Sequence, residues 1–184
     1  STRTIVNNES SEIIRFFNSQ FSEFSSNHHD FYPENLRSEI DRWNELIYQS
    51  VNNGVYRCGF ARKQQAYEKA FDAMFQTLDK IDQHLKSSKY LVGDVMTEAD
   101  VRLFPTLLRF DPVYHTHFKC NGKLIREYQN LSRYLKGLRN IPGVEETINL
   151  KHIKHHYYYS HDSINPARIV AKGPLDLNGS KGGK

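Results

Sequence analysis

Residues 51–61, Val-Asn-Asn-Gly-Val-Tyr-Arg-Cys-Gly-Phe-Ala, put a phenol, two amides and a thiol inside a helical pattern. The Asn52-Asn53-Gly54 interruption works against a helix, by about 1 kcal/mol for the glycine alone. A segment that tolerates this cost points to close approach of a ligand, with Tyr56 supplying a hydroxyl. Asn44, Tyr48, Asn52 and Tyr56 fall at successive four-residue steps, so they share one line along a helix. From spacing alone the line reads first as a semi-exposed polar face; its sharper reading is the wall of a site.

Glu9-Ser10 opens a second candidate region. A serine N–H and hydroxyl at a helix start can hold a carboxylate, and Glu9 can pair with an amine. Together they suit an α-amino-acid head group, although acidic and hydroxyl residues also favour helix starts for ordinary reasons. The run 151–161 gathers four histidines and three tyrosines. His152, His155 and His156 can share a helix face, but no acid or cysteine completes a ligand pattern, so no metal is expected. Cys58 shares the apolar stripe of its helix, which makes it a small hydrophobe rather than a nucleophile. Cys58 and Cys120 form no C-x-x-C pattern and fit a reduced intracellular protein.

These residues need helices to hold them. The chain has 184 residues, a formal charge of +4 and 11 each of Phe and Tyr. Aromatic area offsets the modest apolar fraction. The charge is spread over solvated faces, which argues against nucleic acid, and no apolar run reaches membrane-spanning length. The periodicity is helical almost throughout. Residues 1–6 read as a strand end. A first helix over 9–24 carries Ile13, Phe17 and Phe21, with Asn8 as its cap. After a polar loop with His28, His29 and Asp30, a second helix carries Leu36, Ile40, Trp43, Ile47, Val51 and Val55 and stops near Gly59. A third, over 63–86, carries Tyr67, Phe71, Met74, Leu78, Ile81 and Leu85, and should pack antiparallel to the second. Thr97 with Asp100 three residues on reads as a capping box, flanked by a Met96–Val101 hydrophobic staple. Pro105 should kink the helix that follows. A fifth helix over 129–140 ends at Pro142-Gly143, a short sixth begins near Val144, and the chain reads as irregular from His156.

Glu9-Ser10 ahead of an amphipathic helix, two long helices, and then Gly93-Asp94-x-x-Thr97-x-Ala99-Asp100 resemble the helical C-terminal domain of glutathione transferases. Three longer motifs narrow the resemblance to the xi class, the glutathionyl-hydroquinone reductases. They are residues 51–61; residues 109–121, Arg-Phe-Asp-Pro-Val-Tyr-His-Thr-His-Phe-Lys-Cys-Asn; and residues 152–161, His-Ile-Lys-His-His-Tyr-Tyr-Tyr-Ser-His, with Ile164-Asn165-Pro166. The likeness runs from Thr4 to Pro174.

The resemblance implies an all-α transferase-type bundle over 27–174, preceded by a strand end and helix of a thioredoxin-like domain in 1–26 and followed by a disordered tail over 175–184. It implies glutathione as co-substrate and glutathionyl-hydroquinones as substrates. A low-pKa cysteine thiolate attacks the glutathione-derived sulfur, the hydroquinone leaves, and a second glutathione resolves the mixed disulfide. It assigns Glu9 and Ser10 to the glutathione site, and Tyr56 with Tyr157 or Tyr158 to the quinol pocket. The family's Cys-Pro nucleophile motif is absent from these residues, so the resemblance places it in an upstream domain. The remaining expectations are a cytoplasmic homodimer (or an organellar one, if a transit peptide precedes), without nucleic acid, membrane or metal. The competing reading is an inactive transferase-like module kept for dimerisation or partner binding.

Overall fold

The structure, a computed structural model, describes residues 4, 7–24, 29–174 and 177. His28, the expected strand apart from Thr4, which is not in a strand, and the expected tail apart from Leu177 lie outside them. Among the described residues there is no strand, and eight α-helices carry the fold. They are α1 (Ser10–Gln20), α2 (Arg37–Ile47), α3 (Asn53–Gly59), α4 (Gln64–His84), α5 (Glu98–Arg109), α6 (His115–His117), α7 (Gln129–Arg139) and α8 (Leu150–Ser160).

The expected second helix exists with one change. A π-helical turn, Tyr48–Asn52, joins α2 to α3. The extra residue such a turn inserts is common at functional sites. The apolar stripe continues through it, with Ile40, Ile47, Val51 and Val55 all fully buried. The helix α4 supplies the facing stripe of Met74, Leu78 and Ile81, continued by Leu85 just past its end, all fully buried. Trp43 packs on His84 at a ring separation of 4.8 Å, and Gly54 faces Met74. Rising numbers on one side meet falling numbers on the other, so the two helices run antiparallel, as expected. Gly54 has room for a methyl group; Gly59 does not. A Cβ there would lie 2.5 Å from Cγ of Phe118. The glycine that close packing requires is therefore Gly59, and not the one that drew attention in the sequence.

The helix α5 starts after Thr97 as the motif predicts. Asp100, fully buried, reaches back to the Thr97 N–H at 2.8 Å and accepts from its hydroxyl at 3.1 Å. It also accepts from the Leu91 N–H and from the Tyr134 hydroxyl, tying α5 to α7 and to the preceding loop. Burial raises its pKa despite these donors. The helix passes through Pro105 to Arg109 and then loosens into a second π-helical turn, Phe110–Tyr114.

Four expectations about helices are corrected. The helix α1 closes at Gln20, and a 3₁₀ turn, Ser22–Phe24, takes its place beyond that. Its start is organised by Asn7 rather than Asn8: Asn7 Oδ1 accepts the Glu9 N–H at 2.7 Å. The segment near Val144 forms only a 3₁₀ turn, Glu145–Thr147. The irregular reading from His156 is replaced by α8, which runs to Ser160. Asn149 caps this helix by accepting the His152 N–H at 2.9 Å, and burial of Tyr157 and Tyr158 outweighs its indifferent local propensity.

Candidate functional site

The helix α1 has no buried residue. Phe16, Phe17, Phe21 and Phe24 are 53, 59, 40 and 77 % exposed. Asn18 ties α1 to the loop before α2, donating to Asp30 at 2.7 Å and accepting the Phe31 N–H at 2.9 Å, and Arg15 docks the helix on the bundle. Its guanidinium donates to Glu98 at 2.8 and 3.1 Å and to Asp41 at 2.7 Å, and it lies 3.9 Å over the Tyr32 ring. Glu98 is 3 % exposed and also receives Asn44 at 2.9 Å and Arg102 at 3.3 Å. One buried carboxylate thus joins α1, α2 and α5.

This docking brings the start of α1 over a cleft of about 790 Å³. Glu9, Ser10, Tyr48, Asn52, Tyr56 and Tyr157 all line it, with Arg102, Arg109 and Tyr114 on the same walls. Two regions some 45 residues apart in the chain, and a third at its far end, therefore meet in one space. The line Asn44–Tyr48–Asn52–Tyr56 divides in function. Asn44 is buried on Glu98. Asn52 is spent on α5: its amide donates to the Arg102 carbonyl and its oxygen accepts from Thr106. Tyr48 and Tyr56 stay open to the cleft, 44 and 39 % exposed.

The Tyr56 and Tyr157 hydroxyls are 2.9 Å apart. Tyr157 in turn lies 2.7 Å from the Tyr114 hydroxyl. Burial, aided by the neighbouring phenols, holds Tyr114 far above the ordinary tyrosine range. Burial also pushes Tyr157 up to about 12. The positive charge of Arg109 works against both shifts. At neutral pH Tyr114 and Tyr157 are therefore protonated hydrogen-bonding groups, not bases.

Of the two tyrosines left open in the sequence, Tyr157 faces the cleft. Tyr158 turns away onto His117, with ring centroids 4.5 Å apart, and its buried hydroxyl has no partner among the described residues. Tyr114 was missed as a site residue. Its signal lay in the 109–121 motif, whose π-helical turn aims it inward. His152 and His155 stay outside the cleft, while His156 lines it. Among the described residues no group of three His, Cys, Asp or Glu side chains is placed to hold a metal. Cys58 and Cys120 are buried free thiols in the core. Contact with Cys58 and burial push the Cys120 thiol up, which keeps it unreactive.

A second cavity of about 730 Å³ lies between α1 and the bundle, lined by Phe17, Phe21, Tyr32, Met96 and Ile141 among others. It is largely apolar and lacks the phenol chain.

The sequence and the helical bundle match known proteins. Residues 64–137 match the family described as glutathione S-transferase, C-terminal domain. The chain is homologous to glutathione transferases, with residues 64–137 matching their helical C-terminal domain. Within that family it is homologous to the xi class and the glutathionyl-hydroquinone reductases. It is 55% identical over 172 residues to glutathionyl-hydroquinone reductase PcpF of Sphingobium chlorophenolicum, covering 94% of this chain and 55% of that protein. It is 48% identical over 171 residues to glutathionyl-hydroquinone reductase YqjG of Escherichia coli, covering 93% of this chain and 52% of that protein. The glutathione-bound structure of YqjG superposes with a TM-score of 0.91 at 48% identity, covering 95% of this chain and 57% of that one. The xi-class transferase of Natrialba magadii gives 0.92 at 47% identity, covering 96% and 54%. The chain spans about half the length of the curated relatives it matches.

Proposed function

We propose that this chain is the helical half of a glutathionyl-hydroquinone reductase. In this reading Glu9 and Ser10 hold the amino-acid end of glutathione, while Tyr56, supported by its hydrogen bond with Tyr157, orients the aromatic ring by a hydrogen bond to its oxygen. The nucleophile is a cysteine of a thioredoxin-like domain, to which the start of the chain, 1–26, also belongs. Its thiolate attacks the glutathione sulfur, and the hydroquinone leaves carrying a proton. A second glutathione then displaces the first from the enzyme as glutathione disulfide. Tyr158 is left with a packing role. The exposed phenylalanines of α1 fit a helix that packs on a further domain. The observation that carries the proposal is the meeting of Glu9–Ser10 with the Tyr56–Tyr157 pair in one cleft.

The same proposal makes the protein a homodimer acting on small-molecule conjugates in the cytoplasm, with no call on metal, membrane or nucleic acid. Two unpaired thiols in the core fit a reducing compartment.

Titrating the full-length protein with glutathione while following backbone amide shifts tests the site. Shifts should appear at the start of α1 and around Tyr56. Shifts confined to the apolar cavity around Phe17, Tyr32 and Ile141 would overturn the assignment.

A further inference from the structure

The Tyr56–Tyr157–Tyr114 chain has a direction, and its buried end sets it. Each phenol carries one proton, so the two hydrogen bonds can run inward, run outward, or converge on Tyr157, and convergence would leave the proton of the buried Tyr157 without an acceptor. Run inward, Tyr56 donates to Tyr157 and Tyr157 to Tyr114. The Tyr114 proton then has nowhere to go: the residue is 2 % exposed, and among the described residues its hydroxyl has Tyr157 as its partner. A buried donor left without an acceptor is costly. Run outward, Tyr114 donates to Tyr157, and Tyr157 donates to Tyr56. Every buried proton is then satisfied, and the one left over belongs to Tyr56, which is 39 % exposed at the cleft.

The geometry points to Tyr114 as a positioning residue that fixes this polarity, so that the cleft offers Tyr56 as a hydrogen-bond donor to an acceptor oxygen on the aromatic ligand. Tyr114 is well held for the task. Its ring stacks on Phe118 at 5.4 Å and meets Tyr157 edge-on at 5.4 Å. Phe118 in turn sits against Gly59, where no side chain could be added. The 109–121 motif, which no role in substrate binding had absorbed, supplies both Tyr114 and Phe118. The consequence is a selection rule. The site requires a lone pair on the ligand oxygen and does not require an O–H.

The inference rests on the quinol reading of the cleft and sharpens it. Two probes separate the outcomes in the full-length protein: methylhydroquinone, and its O,O-dimethyl ether, which can accept hydrogen bonds but not donate them. Affinities are read by ligand-observed NMR, and thermal melts check that each variant folds. Both probes should bind the unmodified protein. Tyr56→Phe should weaken both, by roughly three- to tenfold. Tyr114→Phe leaves the buried Tyr157 proton on Tyr56 but removes the donor that polarises it, so it should weaken the ether by a smaller factor than Tyr56→Phe does and spare the hydroquinone. Placing 3-fluorotyrosine at position 114 keeps the ring and strengthens the donor, so it should tighten the ether. Binding of the hydroquinone without the ether would show an inward chain and overturn the polarity. Equal loss of both probes in Tyr114→Phe would reduce Tyr114 to a packing residue. Failure of both probes to bind the unmodified protein would overturn the quinol reading, and this inference with it.

Discussion

Glu98→Gln should undock α1 while leaving the bundle folded. The glutamate is 3 % exposed and accepts from Arg15 twice, from Asn44 once and from Arg102 once. The amide keeps the shape but loses the charge, and it turns a donor toward Arg15 or Asn44. Hydrogen bonds to a charged partner contribute about 1.5–3 kcal/mol each. Breaking a fully buried ion pair costs about 3–5 kcal/mol. The Arg15 side chain is 39 % exposed, so water recovers part of its loss. The expected cost is about 2–3 kcal/mol, which for a domain of this size lowers Tm by roughly 5–10 °C. The effect should be local first, because α1 buries no side chain of its own. Amide hydrogen exchange should rise over α1 before it rises over α4, and glutathione affinity should fall because Glu9 and Ser10 leave the cleft. A Glu98→Gln protein whose α1 amides exchange as slowly as before would refute the view that this carboxylate docks the helix.

Three further outcomes follow from the packing and the site. Gly59→Ala should destabilise by about 1–3 kcal/mol in urea unfolding, because α3 must move off the Phe118 ring; a neutral result would mean the contact is loose. Tyr157→Phe should weaken hydroquinone binding about three- to tenfold, whereas Tyr158→Phe, whose hydroxyl bonds to nothing among the described residues, should change it less than twofold. His117 faces His161 at 3.1 Å through ring nitrogens, and burial followed by the His161 charge depresses its pKa from 6.5 to about 4. The unfolded chain takes up that proton first, so the stability from the neutral ring is full above pH 6.5 and is lost as pH falls toward 4. The loss should be on the order of 3 kcal/mol. Urea midpoints of His117→Phe should be flatter than the parent's over that window, and parallel curves would argue against the linkage.

The helices that are amphipathic and bounded by clear signals were legible in the sequence. Ile40, Ile47, Met74, Leu78 and Ile81 could be placed in the core because a period near four puts them on one face. The start of α5 could be placed because Thr97 and Asp100 satisfy each other locally. What was not legible depends on contacts between distant segments. The turn at Tyr48–Asn52 inserts a residue without breaking the apolar stripe, so periodicity passes through it unmarked. The helix α8 is held by Tyr114, His117 and Phe118, which no local pattern around His156 announces. Tyr157 and Tyr158 are neighbours of one type, and only the packing of α8 decides which faces the cleft. Tyr114 looked like part of a family signature, and its place under Tyr157 emerges only once the π-helical turn aims it.

Turnover in the full-length protein tests the central claim most directly. A glutathionyl-hydroquinone should be converted to free hydroquinone at the expense of glutathione. Tyr56→Phe and Tyr157→Phe should each lower kcat/KM about tenfold, the first by losing the hydrogen bond to the substrate and the second by losing the bond that holds Tyr56, and Tyr158→Phe should leave it within about twofold. Absence of turnover, or a Tyr158→Phe defect as large as that of Tyr157→Phe, would contradict the account.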